Sequence, residues 1–222
     1  MRATFLLAAL VPMAALSGQT VSAHAVVAAP KHNAHFSGVT ERMDGSWVGG
    51  AVEFETGRLR LSVSGMRGRL TAADAGSLPR RDVGELSLDG QYRVRPWLDL
   101  QLRYTARAFS SAAGYQRWDV VGVGAVVSRD LGTPAVRAFA SLLYFPLVSV
   151  SHQERPRFAL GSDVGIALAP SKLPLAVMLS YRIERFRFAA NARSEQFEAL
   201  TLSVGVRARR HAGRWRFGGE EQ

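Results

Sequence analysis

The sequence predicts an all-β chain folded as a closed, antiparallel, up-and-down transmembrane β-barrel, and three observations carry that prediction. The first is the stretch 83–109, where two alternating runs meet at a short turn, Arg95-Pro96-Trp97. In the first run Leu86, Leu88, Tyr92 and Val94 share one face, opposite Glu85, Ser87, Asp89, Gln91, Arg93 and Arg95. In the second, Leu98, Leu100, Leu102 and Tyr104 oppose Asp99, Gln101, Arg103, Thr105 and Arg107. Successive side chains of a strand point to opposite faces, so each run has one apolar and one charged surface. The second observation is that this hairpin recurs along the chain, with connections that alternate between short and long, as in membrane barrels. The third is strand length. The runs are about 10 to 14 residues, against about 9–11 for a tilted membrane strand and about 5–6 for a β-sandwich strand. A soluble sandwich or lipocalin-like barrel, with the apolar faces inward, is the competing fold.

Taken in order, the chain opens with Met1-Arg2, an apolar run from Thr4 to Leu16, and small residues ending Val21-Ser22-Ala23. This reads as a secretory signal, residues 1–23, cleaved after Ala23. Its apolar run is short for a span of about 20 residues. Residues 24–45 hold Pro30, His24, His32 and His35, with at most one weak strand, around His35 to Val39. The barrel domain is expected over 46–208. Trp47 to Phe54 alternates, turns at 55–57, and returns from Arg58 to Leu70 with Leu59, Leu61 and Val63 apolar. The central hairpin follows a loop at 72–82. After a loop at 110–115, Trp118 to Ser128 is a strand apolar on both faces. A turn at 130–134 leads to a strand from Ala135 to about Phe145. After a loop at 146–157, Phe158, Leu160, Val164, Ile166 and Leu168 line the next strand. Beyond the turn at 170–174, Leu175 to Ile183 alternates against Ser180, Arg182 and Glu184. The last strand follows a loop at 189–196 and carries Leu200, Leu202, Val204 and Val206; residues 209–222 read as a polar tail. Nine strands are clear. Placing the short connections inside the cell envelope and the long ones outside requires one more, supplied from 29–42. Ten strands are therefore preferred, with eight, Arg58 to Arg207, as the alternative.

Composition bounds the rest. The 222 residues suit one domain, and no cysteine is present, which excludes disulfides, thiolate metal sites and an acylated cysteine. After residue 16 no apolar run is long enough for a membrane helix. The net charge is +10, from 28 Lys+Arg against 18 Asp+Glu. The arginines are spread singly along strands rather than clustered on a helix. That pattern points away from nucleic acid and toward lipid phosphates.

The export signal, the lack of cysteine and the repeated hairpins together resemble small bacterial outer-membrane barrels, the OmpA- and OmpX-like group, over roughly 46–208. The resemblance implies outer-membrane localisation, delivery by the barrel insertion machinery, a monomer, and no cofactor. The function it implies is non-enzymatic, in envelope integrity or surface interaction. A narrow channel for ions or small solutes is the alternative, and a lipid-modifying enzyme the second.

With apolar faces on lipid, the charged faces line the lumen, where buried charges need partners. The expected network comprises Glu53, Arg58, Arg60, Glu85, Asp89, Arg93, Asp99, Arg103, Asp163, Arg182, Glu184 and Arg207, with Arg137 and Glu198 as further members. Arg67, Arg69, Arg80, Arg81, Arg155 and Arg157 flank outer loops. Their guanidinium groups are candidates for lipopolysaccharide phosphate contacts, against plain solvation. No catalytic residue is assigned. His35-Phe36-Ser37 has the types of a hydrolase pair but reads as a chance pair, and His152 as a solvated loop residue. No metal site is assigned, since His24, His32 and His35 are spaced by eight and three with no helix to align them.

Overall fold

The computed structural model describes residues 19–36, 38–73, 80–111, 114–151, 153–170, 173–189, 193–211 and 214–217, with 209–211 and 214–217 described by backbone alone. The strands are β1 (Thr20–Phe36), β2 (Val39–Thr56), β3 (Leu59–Ala72), β4 (Arg80–Arg95), β5 (Leu98–Ser111), β6 (Gly114–Leu131), β7 (Thr133–Val150), β8 (Pro156–Leu168), β9 (Leu175–Phe188), β10 (Ser194–His211) and β11 (Arg214–Phe217). Each of the first ten pairs antiparallel with its sequence neighbours. β1 then pairs with β10, from Thr20↔Arg209 to His35↔Ser194, and closes the barrel at ten strands. The short β11 pairs with the end of β10, from Ala208↔Phe217 to His211↔Arg214. The end holding the start of β1 is called inner below, and the opposite end outer.

Alternation places side chains as the face pattern requires. Leu100, Leu102, Leu142, Val164, Leu179 and Leu202 point outward and are 41–63% exposed. An apolar wall this extensive is incompatible with water and is the lipid-facing belt of a membrane barrel. Aromatic side chains mark its edges: Tyr92 and Trp97 toward the inner end, Tyr104, Tyr144, Phe158 and Tyr181 toward the outer end, all outward-facing. On β9 the belt runs from Leu175 to Ile183, and Arg185 and Arg187 continue the same face above it. The strands therefore stand out beyond the hydrocarbon.

Several boundaries differ from the sequence reading. The tenth strand is β1, and it starts at Thr20 rather than at 29. Its alternation is hidden in the sequence because its outward face is Ala23, Ala25, Val27 and Ala29, too small to stand out. The weak strand expected at His35–Val39 is instead split between two strands: His35 and Phe36 end β1, Val39 begins β2, and Gly38 just before it adopts φ 83°. The barrel thus takes in 24–45. Thr20 to Ala23, expected to leave with the signal, pair with Glu55 to Val52. Residues 1–18, the rest of the expected signal, lie outside the described residues. At the other end, β10 and β11 occupy part of the segment read as tail.

The outer connections are shorter than expected because strands continue through them. β7 runs to Val150, through Pro146. Proline cannot donate to a ladder, and the β6–β7 register slips by one residue there, between Val121 and Val123, so Pro146 lies in an irregularity. The same limit explains why the β1–β2 ladder skips Pro30.

Candidate functional site

The lumen is the candidate site, and it is filled in layers. Nearest the inner end, Arg60 meets Glu53 at 3.2 Å and Glu55 at 3.6 Å, and Arg93 meets Glu55 at 3.1 Å and Asp99 at 3.6 Å. Next, Arg103 bridges the barrel, donating to Asp89 and to Asp163, both at 2.9 Å. Gln91 also donates to Asp89, at 2.9 Å, and Ser141 to Asp163, at 3.1 Å. Above this, Arg107 lies between Glu85, at 2.6 Å, and Glu184, at 2.9 Å, while Arg182 donates to Glu85 at 2.8 Å. Arg107 and Glu85 are each 1% exposed and Glu184 3%. Each of these ions meets an opposite charge on another strand, the condition under which charge is tolerated away from water, while the buried Arg107 Nη1 has no hydrogen-bond partner of its own.

An aromatic layer covers the ion pairs. The Phe197 ring takes the Arg107 guanidinium at 4.1 Å and the stacked His32 imidazole at 4.1 Å, and Phe109 stacks on it at 5.5 Å. Trp118 stands edge-on to Phe186 at 5.0 Å, and Phe145 stacks on Phe186 at 5.8 Å. Met43, Trp47, Leu70 and Leu143 complete a buried cluster with these rings. Glycine makes the space: a Cβ on Gly122 or Gly161 would stand 2.8 or 2.7 Å from the Phe145 ring. Above the rings, Glu195 accepts from His32 at 3.0 Å and also bonds Arg193. Burial alone would raise the Glu195 carboxyl, but the His32 hydrogen bond and the Arg193 charge outweigh it and hold the group below the usual carboxylate range. Arg81 and Glu41 form a further pair at the outer rim, at 2.8 Å.

Ten of the twelve expected lumen residues meet in these layers, and the other two do not. Arg58 is exposed at the β2–β3 turn, one residue before the strand starts. Arg207 donates to the Pro170 carbonyl at 3.2 Å at the inner rim. Arg137 pairs with Asp130 at 2.8 Å, both largely exposed. Glu198 points outward and accepts from Tyr181 and Gln196. Arg107 was legible as a polar-face residue, but its central place was missed, as were His32 and Glu195. The aromatic layer also had a signal: Phe186 and Phe188 continue the face that carries Arg182 and Glu184, a switch from charge to ring within one strand.

Of the candidate phosphate ligands, Arg67 and Arg69 face outward above the belt, and Arg69 donates to Asp82 at 3.1 Å. Arg80 approaches Asp82 at 3.8 Å. Arg81 is the correction: it points inward to Glu41, because its neighbours at 80 and 82 take the outer face. Arg155 and Arg157 are exposed at the outer end. His24 and His32 face inward and His35 outward, so the three histidines are not brought together. Ser37 and His152 lie outside the described residues.

No family model matches this chain, and no curated protein matches it. Solved structures do. The β domain of the Bordetella autotransporter BrkA matches at TM-score 0.50 with 12% identity, over 83% of this chain and 98% of that one. Neisserial surface protein A matches at TM-score 0.40 with 16% identity, over 84% and 96%. The outer membrane protease OmpT from Escherichia coli matches at TM-score 0.47 with 10% identity, over 86% and 96%. At these identities the likeness speaks to fold alone. Together with ten-strand closure and a continuous apolar outer wall, it identifies the chain as a small barrel of the outer-membrane type.

Proposed function

We propose that this chain is a sealed, non-enzymatic outer-membrane barrel that serves envelope integrity or surface interaction through its outer wall and rim. The observation that carries this reading is the aromatic layer over the Arg107 ion cluster. Ions crossing the lumen would have to leave water, pass Phe197, Phe186 and Trp118, and break buried ion pairs, each step costing several kcal/mol. The reading includes export by a cleaved signal, insertion by the barrel machinery, and a monomer, because β1–β10 pairing leaves no long sheet edge to recruit a second copy.

The test is conductance of purified, refolded protein in a planar bilayer. The expected result is no stepwise current, with current appearing in the double variant Phe186→Ala/Phe197→Ala, which opens the layer. Steady unit conductance in the unaltered protein would overturn this reading in favour of the narrow channel.

A further inference from the structure

We propose that the outer wall of β9, β10, β1 and β2 is a binding site for a phosphorylated glycolipid of the outer leaflet. The place follows from register. Above the belt these four strands carry one continuous outward surface, and its middle row reads Arg185↔Gln196, Gln196↔Asn33, Asn33↔Arg42. The row above it reads Arg187, Ser194, His35 and Thr40, and the row below brings Glu198, Lys31 and Asp44 together. The rows line a groove of about 700 Å³ on the wall. Lys31, Arg42, Arg185 and Arg187 are all exposed. Among the described residues none of these four has a carboxylate within ion-pair distance, unlike Arg69 and Arg80, which share Asp82.

The chemistry of the row is specific. Two guanidinium groups stand three strand spacings apart, about 14 Å at roughly 4.8 Å per spacing. Guanidinium forks suit phosphate oxygens. The Asn33 amide and the Gln196 amide oxygen, whose NH2 is held by Glu198, lie between them with the Ser194 hydroxyl above, and suit the hydroxyl groups of a sugar. A headgroup with two separated phosphates on a saccharide core matches this spacing better than one phosphodiester does.

The wall below supplies the second half of the argument. Directly beneath the groove β1 presents Ala23, Ala25, Val27 and Ala29. On the flanks stand Leu200, Leu202 and Val204 of β10 and Val48 and Val52 of β2, all exposed. The small residues therefore form a recess between two bulky strands, continuous with the groove. A ligand with acyl chains under a phosphorylated sugar would fill both. This places the site to one side of Arg155 and Arg157, and it rests on the membrane orientation in which the outer end faces the cell exterior.

The test uses full-length protein refolded in phosphatidylcholine vesicles doped with bisphosphorylated lipid A, with its dephosphorylated form, or with phosphatidylglycerol. Bound lipid is read by native mass spectrometry after extraction. Bisphosphorylated lipid A should be retained by the unaltered protein, and about tenfold or more less by Arg42→Gln/Arg185→Gln, which loses two charge-assisted contacts. Lys31→Gln/Arg187→Gln should show the same direction, and Arg117→Gln, elsewhere on the wall, should retain it fully. Heat-dependent gel mobility checks that each variant is folded. Equal retention by Arg42→Gln/Arg185→Gln, or equal retention of dephosphorylated lipid A or phosphatidylglycerol, would overturn the proposal. So would displacement of lipid A by inorganic phosphate, or a dimer in detergent that Arg42→Gln/Arg185→Gln abolishes, which would assign the wall to a second copy. Conductance is untouched by any of these outcomes, so this site and the sealed lumen fail separately.

Discussion

Replacing Arg107 by alanine tests whether the lumen charges are structural. Arg107 is 1% exposed and holds two carboxylates, Glu85 at 2.6 Å and Glu184 at 2.9 Å. Without it, Glu85 keeps Arg182 at 2.8 Å, but Glu184 keeps only a loose contact to Arg182 at 3.9 Å. One buried carboxylate is therefore left nearly uncompensated. Breaking such a pair costs about 3–5 kcal/mol, and the contact between Arg107 and the Phe197 ring adds about 1 kcal/mol. The comparison is Arg69→Ala, whose pair with Asp82 has side chains 51% and 64% exposed; there the loss should be at most about 1 kcal/mol. Reversible urea unfolding in lipid vesicles, followed by tryptophan fluorescence, measures both, and Trp118 reports from the adjacent layer. In Arg107→Met/Glu184→Gln the stranded charge is gone, and at least half of the loss should return. If Arg107→Ala costs no more than Arg69→Ala, the ion cluster is hydrated and the account of a dry, sealed lumen fails.

Three further outcomes are expected. Leu102, 57% exposed on the lipid face, and Gln101, 5% exposed in the lumen, are neighbours on β5; Leu102→Arg should cost about 2–4 kcal/mol in vesicles and Gln101→Arg much less, and equal losses would mean inverted faces. Glu195 is held below the usual carboxylate range, so its stabilisation is present above its unfolded-state pKa of about 4.3 and is lost as pH falls through the lower folded value; Glu195→Gln should flatten the acid limb of stability against pH, and an unchanged limb removes Glu195 as its source. The mature chain, read by intact mass of membrane-fraction protein, should begin no later than Thr20, because Thr20 to Ala23 are paired on both sides within β1; a chain starting at Met1 would rule out export by a cleaved signal.

The hairpins were legible because their two faces differ sharply in chemistry. Leu86, Leu88, Leu100 and Leu102 against Asp89, Asp99 and Arg103 leave one assignment of inside and outside once strand length has indicated a membrane. β1 was not legible for the opposite reason. Its outer face is alanine, its inner face includes Pro30 and His32, and neither contrast reads as alternation. The membership of the lumen network followed from parity along each strand, but partners did not, because Arg107 and Glu184 come from distant strands that only closure brings together. Arg58 and Arg81 misled for a local reason: at strand ends a single residue decides between lumen, turn and outer face.

The ion layers also set an order of events. Arg103 to Asp163, Arg107 to Glu184 and Arg182 to Glu85 join residues 60, 77 and 97 positions apart. None of these links belongs to one hairpin, so none can form in an open sheet of a few strands. Until β1 meets β10, the future lumen is a charged concave surface that must stay hydrated. Closure then does two things at once: it satisfies the last backbone edge and expels the water that the side-chain ions no longer need. A barrel assembled this way has few half-formed states worth occupying, and it should open slowly, because separating any single seam exposes charges whose partners lie across the bore.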